Sequence, residues 1–444
     1  MSALLRRRIG TVAAILFVMM ATVLAPSTAA AKPAVTASSI ESVRIAYREF
    51  AKLQQVPSGW TGATAGCRAG AVKEAYQDAM LRRINIVRGL GALEPVTFDA
   101  HYSSKAQQAA LMMGAARDLQ HYPDSNWPCY APAGAEAARN SNLSLGGSDH
   151  IENYMDDAGP ENGNVGHRRW ILHPSTKTMG AGSTDISNAL WVISGNQDNP
   201  AGPSWVGWPA AGFFPQQLLP HRSGRWSLSA DDRSTDFSRA TVSLTGPAGP
   251  VAVRATATES GYGNDTLVWN VPELPVVNGG GVVTYTVAVG NIIRNGETLA
   301  HTYEVKLIDG NWVDVYVTPG THHINGRDWR TACSLYSSTV DRCRTEIWAT
   351  TATDTGGNWV QTNGWVFNNL TYKPSPRGNW QGNPLATPGT HIVNGRLWRT
   401  QCDNAWTGRN ACRSEIWATV VAYENGAYRH KTTWVFNNIA IFRP

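Results

Sequence analysis

Apolar residues fall into three successive textures along the chain. Val12 to Leu24 is an almost unbroken apolar run. From Ala71 to Arg88 the apolar positions (Val72, Ala75, Tyr76, Ala79, Leu81, Ile84, Val87) keep helical spacing, and Gly89 and Gly91 follow. A second helix is predicted from Asp99, placed as its N-cap, through the alanine-rich stretch to Leu119. Ala189-Leu-Trp-Val-Ile193 reads as a buried strand. Residues 40–200 are therefore expected to form a mixed helix and strand domain.

After Pro203 the period shortens to two. Trp226-Ser-Leu-Ser, Thr241-Val-Ser-Leu, Thr266-Leu-Val-Trp, Val283-Thr-Tyr-Thr-Val-Ala-Val and Thr302-Tyr-Glu-Val-Lys-Leu are short β-rich runs separated by Gly, Pro, Asn or Asp. That pattern predicts an all-β, Ig-like sandwich over 203–310. Trp205 and Trp208 read as a hinge that packs the first domain onto it.

The remainder is a duplication with an offset of 69. Thr318-Pro-Gly-Thr recurs at Thr387, Trp329-Arg-Thr at Trp398, Glu346-Ile-Trp-Ala-Thr at Glu415, and Trp365-Val-Phe-Asn-Asn at Trp434. Two small β repeats are expected, 318–374 and 387–444, with 375–386 as linker. Cys333 and Cys343 map onto Cys402 and Cys412, so pairing within each copy is the economical arrangement, leaving Cys67 for Cys129. Nine of the 18 tryptophans lie between Trp329 and Trp434. Trp348, Trp365, Trp417 and Trp434 read as the core of the repeats, and Trp359, Trp380 and Trp406 as exposed contacts.

The first thirty residues set the compartment. Arg6, Arg7 and Arg8 precede the apolar run, and small residues ending in Ala29-x-Ala31 follow it, which is the pattern of a signal peptide over 1–31. No later stretch is apolar enough for a membrane span. The net charge of +5 falls to +2 once the three signal arginines leave, which argues against a nucleic-acid partner. An even cysteine number in an exported chain favours disulfides.

Chemistry-bearing residues cluster between Arg82 and Gly182. "RRINIVRGLGALEPVTFDAHYSSKAQQAALMM", His121 in "LQHYPDS", Glu136 in "GAEAARN", and His167 in "VGHRRWILHPSTKTMGAG" occur in that order. These elements resemble the ordered signatures of the CAP superfamily, the cysteine-rich secretory or SCP-like proteins. The resemblance covers about residues 70–195 and implies an α-β-α sandwich. The fold class expected is thus multidomain: an α/β CAP-like domain, an all-β sandwich and two β repeats.

In that family two histidines and two acids converge on a surface cleft. The resemblance assigns His121, His167 and Glu136 to it, with Asp157 as second acid and Asp156, Glu152 and Glu161 as rivals. Tyr154 and Asp157 stand where the family pattern has Trp and Glu, and Glu136 is not followed directly by Asn. Such a set suits a divalent metal, zinc by preference, or metal-free acid–base work. His101, His150 and His173 read as surface or structural residues. No Gly-x-Ser-x-Gly or His-Glu-x-x-His occurs, and every cysteine has a partner.

Three functions follow as expectations. The first is a secreted or cell-envelope binding protein, its cleft holding a metal or small apolar ligand and its tail holding a wall polymer or glycan. The second is a hydrolase acting on peptide or wall polymer through the cleft. The third is a structural adhesion protein.

Overall fold

The computed structural model describes residues 35–147, 149–194 and 202–443. The expected signal peptide lies outside the described residues. Among them, no helix is long and apolar enough to cross a membrane. The chain is multidomain, with a helix-containing α/β region first and a large all-β region of several sheets after it.

The α/β region contains helices α1 (Ile40–Leu53), α2 (Glu74–Leu90), α3 (Ala100–Ala116), α4 (Pro132–Asn140), α5 (His150–Asp156) and α6 (Gly166–Ile171). Its sheet has the order β1 (Thr97–Phe98), β3 (Thr178–Ser183), β4 (Ser187–Trp191), β2 (Ser141–Leu145). Asp99 caps α3 as expected, its side chain accepting the Tyr102 amide. The alternation along β4 separates two cores. Leu190 packs with Ile84, Val87, Ile151 and Tyr154 on one face. Ala189 and Trp191 pack with Ala106, Ala110 and Ala138 on the other. Helices therefore cover both faces of the sheet, as α-β-α layering requires. Gly180 and Gly182 let α3 lie directly on β3. A Cβ at Gly182 would fall 2.1 Å from the Gln107 amide nitrogen, and one at Gly180 would meet Tyr102 at 2.5 Å.

Ten strands follow: β5 (Trp205–Trp208), β6 (Gly212–Pro215), β7 (Arg225–Ala230), β8 (Thr235–Asp236), β9 (Thr241–Gly246), β10 (Gly249–Val251), β11 (Arg254–Ala257), β12 (Thr266–Asn270), β13 (Val282–Arg294) and β14 (Glu297–Ile308). One sheet runs β10-β9-β13-β14-β6 with β8 added to β13, and the other β11-β12-β7-β5. Both contribute to the hydrophobic cluster that includes the α/β core, so this region and the first share one interior. Trp205 and Trp208 belong to β5, and Trp208 is fully buried edge-on against Phe214. These two residues thus form part of a sheet, where the sequence suggested a hinge.

The duplicated region forms a single eight-stranded sheet. Its strands are β15 (Gly320–Ile324), β16 (Arg327–Ser337), β17 (Val340–Asp354), β18 (Trp359–Pro376), β19 (Gly389–Val393), β20 (Arg396–Cys402), β21 (Ala411–Glu424) and β22 (Ala427–Arg443). The order β15-β16-β17-β18-β22-β21-β20-β19 is palindromic, and the central pair is parallel. Thr371 lies opposite Ile439, although the duplicate of Ile439 is Leu370, its neighbour. Adjacent strand residues point to opposite faces, so where the copies pair, equivalent residues face opposite sides. The cluster of Val340 and Tyr372 with Cys412 and Ala440 mixes the two sets as this geometry demands.

Each copy covers its buried face with the segment before it. Thr331 donates its hydroxyl hydrogen to the Val315 carbonyl, and Thr400 to that of Pro384, at 2.8 Å in the second copy. The segment 375–386 between the copies is itself packed. It carries Trp380, only 3% exposed, whose indole N–H donates to Ser375. Trp380 was expected to be exposed and Trp348 and Trp417 buried. The structure reverses both, with Trp348 48% and Trp417 44% exposed.

All three expected disulfides form: Cys67–Cys129, Cys333–Cys343 and Cys402–Cys412.

Candidate functional site

Asp157 ends α5 in the left-handed conformation, with φ 55°. Val165, which precedes α6, is left-handed too, with φ 46°, an unusual state for a β-branched residue. Two strained backbone positions thus flank the segment that carries Asp157 and His167 to one another. His167 Nδ1 and Asp157 Oδ1 are 2.6 Å apart, and the Arg168 amide donates to Oδ2 at 3.3 Å. The Asp157 side chain is wholly buried, whereas that of His167 is 24% exposed. A carboxylate only accepts, so Nδ1 is the donor, and in the neutral ring Nε2 is left as the acceptor. The pair is a fixed, partly exposed hydrogen-bond acceptor or proton acceptor.

Two arginines, one buried and one partly exposed, hold this segment. Arg168 is fully enclosed, and it donates to the carbonyls of Met155, Asp156 and Arg225 and to Ser227. Burial lowers its pKa to about 10. From β7, Arg225 returns donors to the Asp157 and Gly159 carbonyls at 2.7 and 2.8 Å. The position of Asp157 therefore depends on the β-sandwich as well as on its own domain. The sequence signal for this clamp was the Arg168-Arg169 pair directly after His167, which sequence reasoning passed over.

The other expected members stand as follows. His121 is exposed, and its Nδ1 donates to the Ala138 carbonyl at 2.8 Å, at the last turn of α4. The main chain of His167 accepts from Asn142, four residues further along, at 2.9 Å. Both histidines are thus tied to the α4–β2 segment. Glu136 is bound by Lys105, 2.7 Å from each carboxylate oxygen. Among the rival acids, Asp156 is engaged by Arg222 and Ser223, and Glu152 by Arg83. Glu161 lies in the short turn Pro160–Asn162. Asp157 is the acid that meets a histidine.

Asp157 is committed to His167 and Glu136 to Lys105. Among the described residues no three His, Cys, Asp or Glu side chains are grouped to hold a metal ion.

Residues 81–193 match the cysteine-rich secretory protein family, CAP. No curated protein matches the chain. Among solved structures, the Pseudomonas aeruginosa CupB2 chaperone aligns with 52% of this chain and 100% of its own length, at 8% identity and a TM-score of 0.17. A score that low carries no argument about fold or function. The CAP match and the three disulfides together point to an extracellular protein. The chain is a multidomain protein that carries a CAP-family domain over residues 81–193.

Proposed function

We propose that the chain is an extracellular or cell-envelope binding protein in which the duplicated tail holds a wall polymer or glycan. The observation carrying this reading is a matched pair of exposed aromatic surfaces. Trp348 meets Trp365 edge-on at 5.5 Å, with the Arg330 guanidinium 4.7 Å above Trp365. Trp417, Trp434 and Arg399 repeat the arrangement at 5.2 and 4.8 Å. Glu346 and Glu415 hold the two arginines in place. Aromatic rings left half in water on a sheet stapled by a disulfide are pre-ordered for stacking, at little entropic cost. The tail has 13 Lys and Arg against seven Asp and Glu, which adds attraction to an anionic wall.

One observation favours a hydrolase as second reading. The His167–Asp157 pair has the geometry of a general base. The same incubation tests both. Mature protein is mixed with purified envelope, then scored for co-sedimentation and for soluble peptide or sugar released. The binding reading expects wild type in the pellet, the Trp348→Ala/Trp417→Ala variant in the supernatant, and no release. Release that disappears in His167→Ala would establish the hydrolase instead. Wild type remaining in the supernatant would end the binding reading.

A further inference from the structure

A cavity of about 450 Å³ opens where the two tail copies meet, away from Trp348 and Trp417. Tyr336 and Tyr372 come from the first copy and Trp398 and Asn438 from the second. Tyr336 is 44% exposed and stands edge-on to Tyr372 at 4.8 Å, while its other neighbour Trp380 lies parallel at 6.2 Å. The aromatic wall is therefore braced rather than free to collapse inward.

Asn438 is only 4% exposed, and its Oδ1 has no hydrogen-bond partner. Leaving a buried amide oxygen unmade costs ~1–3 kcal/mol. The duplicate residue Asn369 is buried with its amide unpaired as well, so the orphan belongs to both copies, and what sets this place apart is the open aromatic wall beside it. Asn383 and Asn437 add two more amides to the lining. No side chain lining the cavity is charged.

The duplicate position has closed. With the offset of 69, Tyr336 becomes Ala405, Tyr372 becomes Ile441 and Leu385 becomes Tyr316. Tyr316 packs edge-on at 5.9 Å against Trp329, the counterpart of Trp398. One copy of this place is thus filled with its own tyrosine, while the other keeps an open aromatic wall.

We propose that this cavity, walled by Tyr336, Tyr372 and Trp398 with Asn438 at its polar end, is a binding site for one neutral sugar ring of a glycan. A sugar ring offers an apolar C–H face to the aromatic wall and hydroxyls to the amide residues of the lining, Asn383, Asn437 and Asn438. An anionic unit would find no cation in the lining. The proposal rests on the envelope-binding reading and adds the site and the ligand class.

The test is a tryptophan-fluorescence titration of the full mature chain with chitotetraose and with maltotetraose, at low and at high salt. At least one sugar should bind saturably and independently of salt. Tyr336→Ala and Asn438→Leu should each weaken it about tenfold or more, with the melting curve of Tyr336→Ala unchanged. If Asn438→Leu does not fold, Tyr336→Ala at its exposed position decides alone. Failure of both sugars to bind wild type, or equal binding by Tyr336→Ala, overturns the proposal. Envelope sedimentation separates the two ideas. Tyr336→Ala that pellets like wild type removes the sugar site and leaves the envelope reading. Wild type that binds the sugar without pelleting does the reverse.

Discussion

His173 stacks on Trp170 with ring centroids 5.7 Å apart, and burial, with Arg233 and Arg88 nearby, lowers its pKa to about 4. Burial, helped by Arg83, lowers that of His150 to about 4 as well, its Nδ1 lying 2.6 Å from Ser144 Oγ. Both rings are therefore neutral in the fold and readily protonated once it opens. As pH falls below the ordinary value of about 6.5 the unfolded chain takes up protons first. The stabilisation from neutral burial is complete above 6.5 and is lost as pH drops towards 4. The melting temperature should accordingly decline over that window. In His173→Phe, which keeps the stack without the titration, the decline should be shallower. An unchanged slope in thermal melts across that range would show that His173 carries no linkage. Sequence reading gave these two histidines a surface or structural role and reserved chemistry for His121 and His167. What it lacked was depth: whether a histidine is enclosed depends on elements far away in sequence, as Arg233 against His173 shows. Asp157 was legible from the family pattern, while its clamp by Arg225 was not, because it comes from the next domain.

Strand elements explain why the repeat was readable and its tryptophans were not. The offset of 69 located both cysteine pairs, and each pair closes across neighbouring strands, Cys333 opposite Cys343 and Cys402 opposite Cys412. The period of two also assigns the faces of β17. Cys343, Thr345 and Ile347 form the buried row of β17, so Trp348, an odd step from Cys343, must lie on the opposite face. Treating the tryptophans as core assumed that a small module buries its largest side chains. Here Val315 and Pro384 and their neighbours cover that row instead. The staples should differ in strength with loop length. The two tail disulfides close separations of 10 residues, and Cys67–Cys129 closes 62. Chain entropy assigns ~3 kcal/mol to the short loops and ~4 kcal/mol to the long one. Replacing Cys67 and Cys129 by Ala should therefore lower denaturant stability more than replacing either tail pair. The reverse order in urea melts would mean that native contacts, not loop entropy, set the contribution.

At the scale of the molecule, the regions are joined more tightly than their sequence textures suggest. Helix α1 precedes the CAP match, yet Arg44 donates to the Asp309 carbonyl and its guanidinium lies 4.5 Å from the Trp312 ring. Arg48 donates to the Trp312 carbonyl at 3.1 Å, and Lys373 of the first repeat approaches Glu41. The change from alternating strands to duplication near residue 318 marked where the repeat begins in sequence. It did not mark where the fold of the repeat begins, because the preceding segment supplies its cover. The Val315 carbonyl accepts from both Thr331 and Thr345, two residues that are at most 3% exposed, and the Val317 carbonyl lies against Cys333. Cutting at Thr318 would remove the carbonyl that both hydroxyls use, leaving them only their mutual bond at 3.0 Å, at ~1–3 kcal/mol for the lost acceptor, and would strip apolar cover from the disulfide. A tail fragment starting at Gly310 is therefore expected to unfold cooperatively and at higher temperature than one starting at Thr318. Circular-dichroism melts of the two fragments decide the point. Equal midpoints would mean that the eight-stranded sheet and its two disulfides suffice without the cover, and that residues 310–317 serve only to tie the tail to α1.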